Sequence, residues 1–312
     1  MKLRLISGTT NVQLAEGIAM HLGVPLTKRI IKKFVNGEIY VQISDNVRGD
    51  DVFVIQSVSN SVNGNSVNDS LMELLILIDA LKRASANRII AVITHYGYAR
   101  QDRKAEAREP ITAKLVADML GSAGASRVLT IDLHAPQIQG FFNIPVDEVS
   151  ALPLFAKYFA EKNITNGVVV SPDTGGVKRA RSFAKRLNMP IAIVDKRRTA
   201  HNEAEVMNVV GDIEGKTAIL IDDIIDTGNS IIKAADELAK TAKEVYICAT
   251  HPIFSNGCGN RLEASKAKEI VVSNTIPLNC ENDKIKVINM DKFLSDVISN
   301  IHNNKSVSEL FS

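Results

Sequence analysis

The most informative part of the chain is Thr217-Ala-Ile-Leu-Ile-Asp-Asp-Ile-Ile-Asp-Thr-Gly-Asn-Ser-Ile231. Its four apolar residues 218–221 predict a strand buried on both faces, as in parallel sheets. We expect the strand to stop at Asp222 and Asp223, and a helix to run over 231–240. The N-terminus of a helix offers free N–H groups and a positive dipole end that bind phosphate, while carboxylates accept hydrogen bonds from sugar hydroxyls. The stretch therefore predicts a site for a ribose phosphate.

The loop that joins the two acids to this helix is made of small polar residues. Its members are Asp226, Thr227, Gly228, Asn229 and Ser230. A purely structural interpretation stays open, in which Thr227 or Ser230 caps the helix and the acid pair is a solvated strand end. Three acids, a glycine and two hydroxyls within nine positions favour a ligand site.

The composition is that of a globular protein. The 312 residues are 45% hydrophobic and 23% charged, and a net charge of +2 argues against a dedicated nucleic-acid binder. We find no apolar run as long as a membrane span and no signal peptide pattern at residues 1–6. Three cysteines without metal spacing indicate reduced thiols. We therefore expect a cytoplasmic protein with no membrane partner, long enough for two domains.

Strands and helices alternate along the chain, which predicts α/β layers around mainly parallel sheets. The two halves look like copies of one domain, because a predicted strand in each half ends in Thr-His, at His95 and at His251. At the strand end where the second half carries its two acids, the first half carries Gln56 and Ser57. We infer a duplication in which the second copy alone kept the sugar phosphate site.

The domain boundary is expected between Asn143 and Leu152, where two prolines interrupt regular structure. We assign residues 1–147 to an N-terminal domain. Residues 148–312 form a C-terminal domain, whose tail is a candidate for packing on the N-terminal domain.

Two further segments have distinctive patterns. Phe34-Val-Asn-Gly-Glu38 predicts a tight β-hairpin, and its spacing is equally compatible with a purely structural turn. Residues 98–104 follow a predicted strand and carry guanidinium groups that suit a polyphosphate, with a solvated mixed-charge loop as the alternative. By contrast, residues 211–217 are one residue short of a Walker A loop and precede a strand, so we interpret them as a turn.

Taken together, these segments resemble the ribose-phosphate diphosphokinase family, also called phosphoribosyl pyrophosphate (PRPP) synthetases, of the class I type. The resemblance covers nearly the whole chain. It is carried by the opening stretch and by Phe34-Val-Asn-Gly-Glu38, Val47-Arg-Gly-Asp50, Tyr98-Ala-Arg-Gln-Asp102, Asp132-Leu-His-Ala135, Gln137-Ile-Gln-Gly-Phe-Phe142, Ser171-Pro-Asp173 and Asp195-Lys-Arg-Arg198. It implies two tandem type I phosphoribosyltransferase-like domains. It also implies transfer of a diphosphoryl group from Mg-ATP to ribose 5-phosphate for nucleotide, histidine and tryptophan biosynthesis.

The resemblance also implies residue roles. The ATP site consists of Phe34, Asn36, Gly37, Glu38, Arg100 and Gln101. The ribose 5-phosphate site consists of Arg198, Asp222, Asp223, Asp226, Thr227, Gly228, Asn229 and Ser230. The catalytic residues are Lys196 and its partner Arg198. The Mg²⁺ contacts are His134, Asp173 and Asp132. Asn229 and Ser230 stand where Gly-Thr is usual, which leaves a hydroxyl at the second position.

Two of the metal candidates, Asp132 and His134, stand two positions apart at the end of an apolar strand. That spacing favours a shared direction for the two side chains. A single histidine in such a place is more often structural. Mg²⁺ uses one or two carboxylates with phosphates and water, so few protein ligands are expected.

The same resemblance implies a homo-oligomer, commonly a hexamer, in which the Phe34 segment serves a neighbour's nucleotide site. It implies phosphate activation and ADP inhibition through Arg48, Gly49 and residues 306–311. Two other functions stay open: a phosphoribosyltransferase that consumes PRPP, and a non-catalytic regulatory subunit of the same family.

Overall fold

The structure is a computed structural model that describes residues 1–60, 64–197 and 206–311. The chain forms two compact units. The first contains Met1–Ser150, Thr275–Pro277 and Asn289–Ser312, and the second contains Ala151–Asn274 and Leu278–Ile288. The division after Ser150 lies three residues beyond the expected one. The last 24 residues, which were expected to belong to the C-terminal domain with a tail packed on the N-terminal domain, belong to the first unit.

The first unit is built on a parallel sheet of five strands in the order β1-β4-β5-β6-β7, beside a two-stranded hairpin of β2 and β3. The strands are β1 (Leu3–Ser7), β2 (Arg29–Lys33), β3 (Ile39–Ile43), β4 (Asp51–Gln56), β5 (Arg88–Ile93), β6 (Arg127–Ile131) and β7 (Val146–Val149). The helices are α1 (Val12–Leu22), α2 (Val67–Arg83) and α3 (Thr112–Ala123). Strand β4 is buried at every position, as expected for the interior of a parallel sheet.

The second unit is built on seven strands in the order β10-β9-β8-β11-β12-β13-β14, with β10 antiparallel to β9 at one edge. The strands are β8 (Gly167–Ser171), β9 (Ile191–Arg197), β10 (Val206–Val210), β11 (Thr217–Ile225), β12 (Glu244–Pro252), β13 (Glu269–Ser273) and β14 (Ile285–Ile288). The helices are α4 (Leu152–Glu161), α5 (Val177–Leu187), α6 (Asn229–Leu238) and α7 (Cys258–Ala264). The predicted α/β class with mainly parallel sheets is confirmed. Every helix in the described residues is too short or too polar to cross a bilayer.

Strand β11 differs from its prediction at the end that matters for function. It does not stop at the two acids but continues to Ile225, because its parallel ladder with β12 extends to Pro252. Helix α6 begins at Asn229, two residues earlier than expected. The connecting loop is therefore only Asp226–Gly228, and both acids are held by a strand.

The last helix, α8 (Asp291–His302), packs on α1 in the first unit. The contact is close at Gly17, where an added Cβ would lie 2.2 Å from Asp291 Oδ2. At the other end of α8, His302 Nδ1 is 2.9 Å from Oδ2 of Asp51, and Arg88 Nε donates to Asp51 Oδ1 at 2.9 Å. Asp51 is fully buried. These contacts explain why the end of the chain joins the first sheet.

The Asp51→Asn variant is expected to lower the free energy of unfolding by about 2 kcal/mol at neutral pH, since it leaves a partly buried arginine without its anion. Burial alone would raise the pKa of Asp51, but hydrogen bonds from Arg88 and His302 hold it below its ordinary value. A carboxyl group whose pKa is lowered on folding stabilises the folded state at pH values above its pKa in the unfolded chain. This stabilisation is lost as the pH falls through the pKa that the group has in the folded protein. Urea unfolding of both proteins should therefore show the difference shrinking below about pH 4.

The matched control for this variant is Asp79→Asn, which removes an exposed ion pair with Arg83. An exposed pair within a helix contributes about 0.3–0.5 kcal/mol. Equal decreases in the free energy of unfolding of the two variants would show that the buried cluster at Asp51 does not stabilise the packing of α8.

Candidate functional site

The loop between β11 and α6 leaves the first turn of a helix open. Gly228 is the N-cap residue of α6 and has a left-handed backbone with φ of 77°. Within the described residues no side chain caps the helix, so the interpretation of Thr227 or Ser230 as a cap is wrong. Asn229 and Ser230 are exposed, whereas Asp226 is half-buried. The first amides of this ten-residue helix, with the positive end of its dipole, are therefore placed to bind an anion.

Two carboxylates precede this loop in β11, and their environments differ. Asp222 keeps 26% of its side chain exposed, and Asp223 keeps 6%. Asp222 Oδ1 accepts a hydrogen bond from the amide of Asp223 at 2.8 Å. Burial, followed by the negative charge of Asp223, raises the pKa of Asp222 well above its ordinary value. Asp222 is thus the more accessible acid of the two.

A partly buried arginine that was not predicted from the sequence joins both acids. Arg179 lies in the first turn of α5, and its Nη1 is 3.1 Å from Asp223 Oδ1 and 3.6 Å from Asp222 Oδ1. Its positive charge opposes the rise in the pKa of Asp222. The signal in the sequence is that α5 carries five cations and no acid. That pattern does not indicate which cation turns inward.

The candidate metal contacts are placed by two different turns. Asp173 is exposed, and its Oδ1 accepts a hydrogen bond from the Gly176 amide at 2.9 Å, just before α5. In the first unit, Asp132 is half-buried and His134 is exposed. The argument for a shared direction of these two side chains does not hold, because β6 ends at Ile131 and Asp132 has a φ of 36°.

In the described residues, few side chains come together to hold a metal ion. No group of three or more His, Cys, Asp or Glu residues in the described parts of the chain is arranged to hold one. The exposed Asp173 uses one carboxylate oxygen for the Gly176 amide. An arrangement of few side chains fits Mg²⁺, which keeps water and substrate phosphates in its coordination sphere.

The segment 34–38 forms the turn of the hairpin of β2 and β3. The Phe34 amide donates to the carbonyl of Glu38 at 2.8 Å, and the Gly37 amide donates to the carbonyl of Phe34 at 2.9 Å. Gly37 has a left-handed φ of 92°, and Asn36 Oδ1 accepts a hydrogen bond from the Glu38 amide. Phe34 is 50% exposed. The predicted hairpin is confirmed, and it presents an aromatic ring that is available to stack on a base.

Arg100 and Gln101 are exposed and lie in the loop that follows β5. The Gln101 carbonyl accepts a hydrogen bond from the Ala113 amide at 3.2 Å, and the Thr112 hydroxyl bonds to the Gln101 side chain. These bonds tie the loop to the start of α3. The guanidinium of Arg100 is thus carried at the surface on an anchored loop.

The predicted catalytic residues lie at the end of β9. The backbone of Lys196 pairs with Met207 of β10. The side chain of Lys196 and the whole of Arg198 lie outside the described residues. Their roles stay predictions.

The corresponding strand end in the first unit has no open acid. Gln56 at the end of β4 is fully buried, and its Nε2 donates to Glu73 Oε1 at 2.8 Å. The other Glu73 oxygen accepts from the Thr9 hydroxyl at 2.7 Å, and Gln56 Oε1 accepts from the Thr10 amide at 3.2 Å. A buried, internally bonded network therefore occupies the position that Asp222 holds in the second unit, in keeping with the inferred loss of the first site.

Comparison with known proteins identifies the family. Residues 3–124 match the model of the N-terminal domain of ribose phosphate pyrophosphokinase, and residues 197–312 match that of the phosphoribosyl synthetase-associated domain. The ribose-phosphate pyrophosphokinase of Bacillus caldolyticus is 55% identical over 99% of this chain and 98% of its own length. The chain belongs to the ribose-phosphate pyrophosphokinase family. The family member of Clostridium acetobutylicum is 52% identical over 99% of this chain and 97% of its own.

A solved structure supports the same family assignment. The phosphoribosylpyrophosphate synthetase of Mycobacterium smegmatis superimposes with a TM-score of 0.92 at 42% identity, covering 97% of this chain and all of the other. The predicted fold class is thereby confirmed. The comparisons favour neither the phosphoribosyltransferase nor the regulatory subunit, because the pyrophosphokinases match over nearly their whole length.

Proposed function

We propose that the chain is a ribose-phosphate diphosphokinase (EC 2.7.6.1), which transfers the diphosphoryl group of Mg-ATP to ribose 5-phosphate and yields PRPP and AMP. One observation carries the proposal: Asp222 near the end of β11 and the uncapped N-terminus of α6 lie on the two sides of one three-residue loop. A pentose phosphate has the two groups that this arrangement complements, a diol and a terminal anion. Family membership supports the same assignment.

The acceptor site is assigned to the second unit. Asp222 accepts hydrogen bonds from the ribose hydroxyls, and Asp223, held by Arg179, sets its position and charge. The 5-phosphate takes hydrogen bonds from the loop Asp226–Gly228 and from the first amides of α6, with the hydroxyls of Thr227 and Ser230 as further donors. Arg198 is proposed to lie near the same phosphate.

The nucleotide-binding residues of the donor site are assigned to the first unit. Phe34 stacks on the base, with Asn36, Gly37 and Glu38 beside it. Arg100 and Gln101 hold the phosphates. Mg²⁺, with Asp132, His134 and Asp173 as its proposed contacts, supplies positive charge to the triphosphate when bound.

The reaction needs no covalent enzyme intermediate. The anomeric oxygen forms a bond to the β-phosphorus of ATP, the bond from that phosphorus to the oxygen shared with the α-phosphate breaks, and the hydroxyl proton is released to water. Positioning and electrostatic stabilisation supply the catalysis. Lys196 and Arg198 are proposed to neutralise the charge on the transferred group.

The proposed function is tested by measuring AMP release from ATP. AMP should appear only when ribose 5-phosphate and Mg²⁺ are both present, in amounts equal to the PRPP formed, and Lys196→Ala should abolish it. Nucleotide binding without AMP release would indicate a regulatory subunit. Consumption of PRPP with a free base would indicate a phosphoribosyltransferase.

The acid limb of kcat/KM for ribose 5-phosphate is expected to lie well above pH 4. Only ionised Asp222 accepts bonds from both hydroxyls, and burial raises the pKa of Asp222, so activity falls as the pH drops through that raised pKa. Arg179→Gln removes a charge that lowers the pKa, and the limb should move to higher pH. Rate profiles at saturating Mg-ATP measure the shift. In the exposed control Arg186→Gln the acid limb should stay in place. An acid limb that also stays in place in Arg179→Gln would contradict the assignment.

Assembly and regulation are proposed on the family resemblance. We propose a cytoplasmic homohexamer that phosphate activates and ADP inhibits through Arg48, Gly49 and residues 306–311. Light scattering of the purified protein measures the oligomeric state. Titration of AMP release with phosphate and ADP measures the two effects.

A further inference from the structure

The loop Asp226–Gly228 is supported from behind by the segment that connects β12 to α7. The amides of Ile253 and Phe254 donate to the carbonyl of Ile225 at 2.9 and 3.1 Å. The Ser255 amide donates to the carbonyl of Asp226 at 3.1 Å. The supporting segment is itself constrained, because Phe254 and Asn256 have left-handed φ values of 51° and 53°. Two irregular backbones thus run side by side at the phosphate end of the site.

Arg261, on α7, holds these two backbones together. Its Nη2 donates to the carbonyl of Thr227 at 2.5 Å, and its Nη1 donates to the carbonyl of Asn256 at 2.5 Å. The planar guanidinium therefore bonds to one carbonyl of each loop. Its Nε is buried and has no hydrogen-bond partner among the described residues. A buried donor without a partner is costly to the fold.

The bond from Arg261 to the Thr227 carbonyl has a consequence for the neighbouring amide. In a trans peptide the C=O and the following N–H point in opposite directions, and no described peptide is cis. Because the Thr227 carbonyl is turned toward Arg261, the Gly228 N–H is turned away from it. The same peptide unit leads directly into the open end of α6.

We infer that Arg261 is a positioning residue for the 5-phosphate, which fixes the Thr227–Gly228 peptide so that the Gly228 amide donates to the anion. This rests on the proposed function, and it adds a residue that lies 34 positions after Thr227 in the chain. Arg261 acts through the main chain, since Nη1 and Nη2 are each bonded to a carbonyl. Its cation also adds favourable potential at an anion site.

The geometry distinguishes arginine from lysine at this position. A guanidinium presents several donors in a rigid plane and can bond to two carbonyls at once, whereas an ammonium on a flexible stem is a point charge. Arg261→Lys should therefore keep the charge and lose the orientation. Arg261→Gln should lose both.

The test compares Arg261→Lys, Arg261→Gln and wild type by steady-state release of AMP. We expect the KM for ribose 5-phosphate to rise about tenfold or more in Arg261→Gln and by an intermediate factor in Arg261→Lys, since misplacing one positioning contact is enough for such a loss. The KM for ATP should stay within about twofold. Guanidinium chloride at a few tens of millimolar should partly restore Arg261→Gln. The exposed arginine variant Arg186→Gln is the control and should match wild type.

The outcomes separate this inference from the function on which it rests. If wild type releases no AMP with ribose 5-phosphate, the proposed function fails. If wild type is active and both Arg261 variants bind ribose 5-phosphate normally, this inference alone is overturned. Equal rises in the two KM values also overturn it, because a general loss of structure affects both substrates. If Arg261→Gln does not fold, Arg261→Lys tests the inference instead. Its KM for ribose 5-phosphate should rise more than its KM for ATP, and equal rises overturn the inference.

Discussion

The Asp222→Asn variant is expected to lose about 100- to 10,000-fold in kcat/KM for ribose 5-phosphate. A hydrogen bond to a charged acceptor contributes about 1.5–3 kcal/mol, two ribose hydroxyls make two such bonds, and each 1.4 kcal/mol is a factor of ten. The neutral amide keeps one weaker acceptor and directs an NH₂ group at the second hydroxyl. Asp222 belongs to the second unit, whereas the proposed ATP-binding residues belong to the first. The KM for ATP should therefore stay within about threefold of the wild-type value. Initial-rate kinetics with each substrate varied in turn measure both quantities.

The same variant is expected to be as stable as wild type or more stable. The pKa of Asp222 is raised by burial and by the charge of Asp223. An acid whose pKa is raised on folding destabilises the native state at any pH where it is ionised. Asparagine removes that repulsion, so the melting temperature should not fall. A stability cost at a residue that contacts substrate is a pattern typical of active sites.

The control for Asp222→Asn is Asp212→Asn. Asp212 is an exposed acid of the same unit, and it pairs with Lys216. The control variant should leave the kinetics unchanged. Unaltered kcat/KM in Asp222→Asn would remove Asp222 from the ribose site. A loss accompanied by a lower melting temperature would assign it a structural role.

Several features of the site could be predicted because local chemistry determines them. Apolar residues 218–221 predicted the buried part of β11, and the small residues that follow predicted an open helix N-terminus. Asn-Gly at residues 36–37 predicted the hairpin turn, which requires a positive φ at Gly37. In each case the residues that decide the conformation are neighbours in the sequence.

Other features depend on partners that are distant in sequence. Arg179 is one of several cations in α5, and only the packing of α5 beside β11 selects it as the partner of Asp223. Arg261 looks like an ordinary surface cation until α7 places it beside the Thr227 carbonyl. The strand pattern could not show that β11 continues to Ile225, because ladder hydrogen bonds to β12 hold the polar residues there in the sheet.

The contacts of α8 could not be predicted for a similar reason. Sequence order places it after the second sheet, yet its contacts are with α1 and with Asp51, some 250 residues earlier. A polar contact such as His302 with Asp51 leaves no periodic signal. The glycine that permits the approach, Gly17, lies in the middle of α1 and indicates only that something comes close.

The Gly228→Ala variant is expected to lose about 10- to 100-fold in kcat/KM for ribose 5-phosphate and to melt at a lower temperature. An added Cβ would lie 2.5 Å from Cys258 Sγ and 3.2 Å from Ile232 Cδ1, so the loop or the cysteine must move. Overpacking of this kind costs about 1–3 kcal/mol. The left-handed backbone at residue 228, with a φ of 77°, is expected to destabilise the folded alanine variant by a further ~1–2 kcal/mol. Displacement of the loop moves the amide donors, and a shift of about 1 Å in a positioned group lowers rates by as much as about 100-fold.

Two further variants separate the causes of that loss. Gly215→Ala has a similar φ of 65° with no atom within 4 Å of the added Cβ, so it should lower stability without changing the kinetics. Cys258→Ala removes the sulfur that an added methyl would meet, and Gly228→Ala/Cys258→Ala should regain most of the affinity for ribose 5-phosphate. A double variant no better than Gly228→Ala alone would show that backbone conformation, and not contact with Cys258, requires glycine at position 228. Normal kinetics in Gly228→Ala would instead show that phosphate binding does not depend on this loop. Both the backbone conformation at residue 228 and its packing against Cys258 would then have been disturbed without effect.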